Sequence, residues 1–384
     1  MAKESPHDCP ALELHEWNAA QAWQRRQVHL QKFISSESGT DDSIASADAN
    51  ICIIFANANQ VRTCQACKTY FIDKLSMPKH WWTDSSRKSN GYFGCRVGTH
   101  QIATWAYFEM KQLGEDATYR WYKLNVFIRW DRSRQQTIVI TFDTHSDIAR
   151  RFLESLENPD PDSLHCPFWF YPCLLNEVAR IQESAVWAIR DQVRAVEKET
   201  MPKGRPKPDY RHMHDIARHG IHVTETLDVA VQTITRMLDR HEGLLHLVSK
   251  DDGSDDLHSQ LQFFESFISS LRCRSVSNDK RMLNEIQLAF NTVAQHDAST
   301  SLKVAVVALI FLPPTFVSAI FSTSFFNFSP DAGWIVSDKF WLYWAFAAPI
   351  TILTAVGWYY LRRYGTPKLP MPRYERKRRQ TFFV

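Results

Sequence analysis

Two uncharged apolar stretches near the C-terminal end constrain this chain more than anything else in it. Val304 to Phe321 runs 18 residues without a charge, and Phe340 to Leu361 runs 22. At ~1.5 Å per residue each reaches across a hydrocarbon core of ~30 Å, the first only just. The second has Phe340, Trp341, Tyr343 and Trp344 at one end and Trp358, Tyr359 and Tyr360 at the other, the aromatic pattern of a membrane–water interface. Two membrane spans are therefore expected, joined by the short loop Ser322 to Lys339.

Charge sets the expected orientation. After Leu361 come eight basic residues (Arg362, Arg363, Lys368, Arg373, Arg376, Lys377, Arg378 and Arg379) and one acid, Glu375, so this tail is +7. The whole chain is +3, which leaves −4 on residues 1–361. Basic residues directly after a span hold that end in the cytoplasm. Both termini are then cytoplasmic, and the plasma membrane is the favoured location. A tail of this kind also attracts anionic lipid head groups. A body of net negative charge excludes a nucleic-acid binder that works through its folded part.

Length and composition fill in the rest. With 384 residues, 44% apolar and 13% aromatic, the chain is expected to hold two or three domains and is not wholly disordered. Met1 to Pro10 has no apolar core, so no signal peptide is expected. The eight cysteines read as reduced thiols. Cys64-Gln-Ala-Cys67 is a C-x-x-C without a clear second ligand pair nearby, and reads as packing rather than a zinc or redox site.

Residues 1–50 are poorly patterned and read as a flexible segment, with Ser35 to Asn50 rich in Ser, Asp, Ala and Gly. Residues 51–170 read as a small α/β domain. Ile51 to Phe55 and Thr137 to Phe142 are strand-like, and Leu124 to Trp130 alternates; the last two are expected to form a hairpin. Residues 171–300 read as long helices. Leu174, Val178, Ile181, Ala185, Ile189, Val193 and Val196 recur at helical spacing. Met201 to Pro208 breaks that helix, a second runs from Tyr210 to about Lys250, and Asp251 to Asp256 reads as a turn. Neither Pro nor Gly occurs from Leu257 to Leu312, so a third helix is expected to run unbroken to Phe321, about 97 Å at 1.5 Å per residue. Such a stalk must bury its apolar stripe on other helices or on copies of itself, as in a coiled coil. The fold class is thus α+β followed by two C-terminal transmembrane helices at about 304–321 and 340–361, with the basic tail at 362–384.

Within the first span, Pro313-Pro314 removes helical partners from the carbonyls of Leu309 and Ile310. In a membrane such carbonyls face protein or a water-filled cavity. A packed kink and a pore wall both satisfy that requirement.

This arrangement resembles the CorA family of divalent-cation channels. The family's first span typically ends Pro-Leu-Thr-Phe-Ile-Ala-Gly-Ile-Tyr-Gly-Met-Asn-Phe. Here the same register reads Pro313-Pro314-Thr315-Phe316-Val317-Ser318-Ala319-Ile320-Phe321-Ser322-Thr323-Ser324-Phe325. The chain also looks like the fungal CorA-like branch through Ala185 to Arg194 and Ile216 to Leu227. The resemblance is specific over about residues 170–361 and architectural before that. It implies a funnel-shaped homopentamer, a pore lined by the first span, and passive conduction of Mg²⁺ without covalent chemistry. By register, Ser301, Val304, Ala308, Leu312 and Thr315 line the pore, and Ser322, Thr323 and Ser324 form the outer mouth. Val304 and Leu312 would be apolar constrictions that close by dewetting, and Thr315 would supply a ring of hydroxyls.

The departure is at the mouth, where Ser322-Thr323-Ser324 stands for Gly-Met-Asn. Hydroxyls accept hydrogen bonds from the waters of a hydrated cation, but Ser324 has a shorter reach than Asn and no carbonyl. The resemblance also implies regulation by intracellular Mg²⁺ bound between cytosolic domains. Asp251, Asp252, Asp255 and Asp256 are the candidate carboxylates, with a solvated acidic turn as the other reading. Asp215, His219 and His222, at i, i+4 and i+7, could share a helix face and hold a transition metal, or be ordinary surface residues. A membrane-anchored scaffold that lost conduction is the alternative function. An anchored enzyme ranks last, since no phosphate-binding loop, nucleophile elbow or zinc-protease motif occurs.

Overall fold

The computed structural model describes residues 9–18, 23–34, 44–114, 118–159, 164, 166–199, 207–244, 252–322, 326–331 and 333–364. In chain order its elements begin with β1 (Ala11–Trp17), β2 (Trp23–His29), α1 (Gln31–Ile34), β3 (Ile51–Ala56), α2 (Ala58–Thr63), α3 (Gln65–Asp73) and α4 (Asp84–Arg87). Then come β4 (Gly91–Val97), β5 (Gln101–Leu113), β6 (Tyr119–Asp131), β7 (Gln136–Phe142), α5 (Ser146–Ser155), α6 (Tyr171–Lys198) and α7 (Tyr210–Leu244). The last are α8 (Asp252–Phe321), β8 (Phe326–Ser329), β9 (Gly333–Val336) and α9 (Trp341–Tyr364). The chain divides into two compact units: 1–200 with 208–288, and 201–207 with 289–384.

The first unit is built on a seven-stranded sheet of order β2-β1-β3-β7-β6-β5-β4. Only β3 and β7 pair in parallel, with Ile51 opposite Thr137 and Ala56 opposite Phe142; the other neighbours are antiparallel. The strand period of two sends alternate residues to opposite faces. Ile138, Ile140 and Phe142 join Phe71, Trp81 and Trp82 in one core layer. On the other face, Trp169 Nε1 donates to Thr137 Oγ1 (3.1 Å) and Tyr171 hydroxyl meets Thr104 hydroxyl (2.9 Å). Helices α6 and α7 pack against β5, and α7 also covers β4. The fold class is the α+β class expected.

Two strands stand where the sequence predicts a flexible segment. β1 and β2 lie within residues 1–50 and extend the sheet on the far side of β3. Their polar character is real but satisfied. Glu16 is buried, and its carboxylate accepts from Arg26 Nε (2.7 Å) and Nη2 (2.9 Å), from Ser46 N (2.8 Å) and from Ser46 Oγ (3.0 Å). A fully bonded carboxylate of this kind can lie against a core. The hairpin of β6 and β7 is present, with Asp131 opposite Gln136. β4 and β5 are additional strands that the sequence reading does not anticipate.

Helices α6, α7 and the early part of α8 associate through specific polar pairs. Arg281 forks onto Glu197 at 2.7 and 2.6 Å, Arg272 pairs with Asp228, and Asn278 Nδ2 donates to the Val186 carbonyl (3.2 Å). Trp187 lies between the guanidinium groups of Arg190 and Arg274, 5.2 and 4.8 Å from its ring centre. Leu261, Ile268, Leu271 and Met282 of α8 are buried. The expected turn at Asp251 to Asp256 is corrected at its second residue: Asp252 to Asp256 form the first turns of α8, and the Asp255 and Asp256 carboxylates stand near the positive end of the helix dipole. α8 is 70 residues long and passes through Pro313 and Pro314 without ending.

The second unit holds the later part of α8, the β8–β9 hairpin and α9. α8 and α9 each contain a segment long and apolar enough to cross a membrane, with mean hydropathy 2.0 and 1.3 and 6% of each buried. Large apolar side chains project outward throughout: Leu353 is 74% exposed, Phe316 66% and Trp341 64%. Exposed apolar surface costs about 25 cal/mol per Å² in water, so a surface of this extent belongs in lipid or against other helices. The loop between the spans is not featureless. Phe326 pairs with Val336 and Ser329 with Gly333, whose φ of +68° suits glycine at the turn.

Candidate pore and regulatory site

Ser301, Val304, Ala308, Leu312 and Thr315 are all helical and all exposed. Val304 is 65% and Leu312 69% exposed, which leaves both free to meet a neighbour or line a path. Ala308, Leu312 and Thr315 share an open concavity of about 640 Å³ with Phe316 and Ile350. Its wall is almost wholly apolar. The Thr315 hydroxyl donates to the Phe311 carbonyl at 2.6 Å, one turn back along α8. Its proton is therefore committed to the helix, and what it can offer a ligand is its lone pairs. Those suit the hydrogens of a cation's water shell.

At the end of α8, Ser322 N donates to the Ser318 carbonyl (2.8 Å) and its hydroxyl to the Ala319 carbonyl (3.1 Å). Ser322 thus closes the helix with its own side chain. Thr323 and Ser324, the other candidate mouth residues, lie outside the described residues, as do Asp251 and the basic tail beyond residue 364.

Of the candidate carboxylates Asp251, Asp252, Asp255 and Asp256, the last two have described side chains. Asp255 and Asp256 are exposed on the first turns of α8. Asp256 Oδ2 accepts from Gln260 Nε2 at 2.6 Å. Among the described residues these acids do not converge with others on one point; the convergent set of metal-ligating side chains is elsewhere, at Cys9, Cys64 and Cys67.

Asp215, His219 and His222 do not form a ligand set. Asp215 pairs with Arg218 at 2.6 Å. His219 packs on Tyr119 (5.1 Å between ring centres) and His222 on Trp121 (5.8 Å). Lys111, which is buried, lies beside His222. Its ammonium lies 3.0 Å from His222 Nδ1, 4.3 Å from the Tyr119 ring centre and 5.2 Å from that of Trp121. Burial holds Lys111 below the usual lysine range, with Arg218 adding to the effect. Burial, then the charge of Lys111, holds both histidines below the usual imidazole range. Sequence spacing found the histidines but not the lysine, which comes from β5 and has no local signal.

A second, half-buried group also escaped the sequence. Thr224 hydroxyl donates to Asp279 Oδ2 at 2.6 Å, while Asp279 Oδ1 has no hydrogen-bond partner. Burial raises its carboxyl above the usual aspartate range. A Cβ on Gly220 would come within 2.4 Å of that same Oδ1, so glycine here leaves room for the Asp279 carboxylate where it stands.

The full-length CmaX protein superposes with a TM-score of 0.58 at 12% identity, over 94% of this chain and 99% of that one. The CorA magnesium transporter from Methanocaldococcus jannaschii superposes with a TM-score of 0.54 at 12% identity, over 92% of this chain and 98% of that one. The architecture is CorA-like. At such identity the CorA-like match describes the fold and leaves residue roles open. No protein-family model matches the chain. A curated relative, "Notoamide biosynthesis cluster protein M'" from Aspergillus versicolor, is 31% identical over 286 residues, covering 67% of this chain. The aligned part spans 63% of that relative's length.

Proposed function

We propose that the chain is a divalent-cation channel that conducts Mg²⁺ passively as a homopentamer in the plasma membrane, with both termini in the cytoplasm. It performs no covalent chemistry. The observation that carries this reading is the CorA-like fold over nearly the whole of both chains, together with outward-facing small and apolar residues on α8. Five copies of α8 around an axis would enclose Ser301, Val304, Ala308, Leu312 and Thr315. Leu312 and Val304 would form dry constrictions, and Thr315 would hold water-shell hydrogens between them and the mouth. Ser322, Thr323 and Ser324 would capture the hydrated ion by outer-sphere contacts, consistent with the reluctance of Mg²⁺ to shed water. Asp251, Asp252, Asp255 and Asp256 would bind regulatory Mg²⁺ between neighbouring subunits.

One feature favours a second reading, a membrane scaffold of the same fold that does not conduct: serine and threonine stand where the family carries Gly-Met-Asn. The test is Mg²⁺ uptake into proteoliposomes containing the purified chain, with Leu312→Arg as control. Protein-dependent uptake that the arginine abolishes supports the channel. A well-folded oligomer that passes none of Mg²⁺, Co²⁺, Ni²⁺ or Zn²⁺ supports the scaffold.

A further inference from the structure

Cys9 precedes β1 by two residues, Cys64 is the residue just before α3, and Cys67 stands in its first turn. The fold brings Cys9 to the other two across at least 55 positions of sequence. Their sulfurs all lie within 4.8 Å of one another, and Cys9 Sγ is 3.8 Å from Cys64 Sγ. No pair of the three is joined as a disulfide. All three are buried; Cys9 and Cys64 keep 8% exposure and Cys67 none.

The spacing has a chemical reading. A zinc–sulfur bond of ~2.3 Å with tetrahedral angles sets two sulfurs on one zinc about 3.8 Å apart. That is the separation found for Cys9 and Cys64. The C-x-x-C step at a helix start delivers two sulfurs to one side, a spacing common in structural zinc sites. The third ligand comes from a distant segment, so it could not be read from the sequence around Cys64.

We propose that Cys9, Cys64 and Cys67 form a binding site for a thiophilic cation, Zn²⁺ in the first instance. Three sulfurs fill three of the four positions zinc prefers, and water reaching the slightly exposed Cys9 and Cys64 fills the fourth. Binding displaces one proton from each thiol and involves no redox step. The protein supplies no oxygen ligand, so the site discriminates against Mg²⁺ and Ca²⁺. It is therefore a different kind of site from any that serves a conducted hard cation, and it does not depend on conduction. The metal would tie the segment ahead of β1 to the start of α3, so its binding energy would add to the stability of the sheet unit.

The experiment uses the full chain in detergent, purified under reducing conditions with Zn²⁺ and then desalted. The expected result is about one zinc per chain, with the sulfur-to-metal absorption band appearing when Co²⁺ or Cd²⁺ replaces it. Cys64→Ser and Cys67→Ser should each lose the metal and the band, while Cys273→Ser, at an exposed position, keeps both. The wild-type titration with Cd²⁺ stands by itself if a variant folds poorly. Absence of the thiolate band in folded wild-type protein would overturn the proposal, as would a Cys64–Cys67 or Cys9–Cys64 disulfide found by mass spectrometry in that reduced preparation.

Discussion

The Thr315 hydroxyl donates its proton to the Phe311 carbonyl, 2.6 Å away and one helical turn earlier. A threonine held this way has only lone pairs to offer, and in the proposed pore it would accept from the water shell of a passing ion. Thr315→Val keeps the shape and removes the acceptor. One hydrogen bond is worth about 1 kcal/mol, so Mg²⁺ flux in proteoliposomes should fall about fivefold, and Thr315→Ser should restore most of it. Equal flux for valine and threonine would remove Thr315 from the conduction path.

Leu312 offers a complementary test. If it forms a dewetted constriction, Leu312→Asn should hydrate the path and raise flux at low driving force, while Leu312→Arg abolishes it. A scaffold would be indifferent to both, and its oligomeric state by light scattering would be unchanged.

Gly220 and Asp279 should be energetically coupled. Gly220→Ala drives a methyl into Asp279 Oδ1 and should destabilise the fold by about 1–3 kcal/mol, read as a lowered Tm. In the background of Asp279→Ala the same change should cost much less. The double-mutant cycle in thermal denaturation measures that difference directly.

The cluster of Lys111, His219 and His222 predicts a pH dependence. Both histidines have folded values held below the unfolded one, by burial first and then by Lys111. The unfolded chain therefore takes up protons first as pH falls below about 6.5, and stability drops from there toward the folded values. Arg218 adds to this effect on both, while Asp215 opposes it at His219 and Glu225 at His222. Tm measured from pH 8 to pH 5 should decline on the acid side. Lys111→Met should flatten that decline, and an unchanged slope would contradict the arrangement.

The helical half of the fold was legible because its signal is local. The three-and-four spacing from Leu174 to Val193 needs no partner to be seen, and the lack of Pro and Gly before Leu312 gave the long helix. The strands were harder. β5 is buried on both faces through most of its length, so no alternation survives in it. β1 carries Glu16, whose bonds to Arg26 and Ser46 only the folded sheet supplies. The sites divide in the same way. Ser301 to Thr315 could be named only through the family resemblance, and the pore they would line is a proposal. Lys111 beside His222 and Cys9 beside Cys64 depend on chain segments 111 and 55 positions apart, which no window of sequence contains.

The lone parallel pair, β3 with β7, orders events during synthesis. Between Ala56 and Gln136 the chain must lay down three further strands before β3 finds its second neighbour. A sheet closed by so distant a contact forms slowly. Yet its last strand ends at Phe142, and the first apolar segment does not begin until Val304. On the ribosome, the sheet has the whole interval between them in which to close before any membrane-seeking segment emerges to compete for its exposed strands.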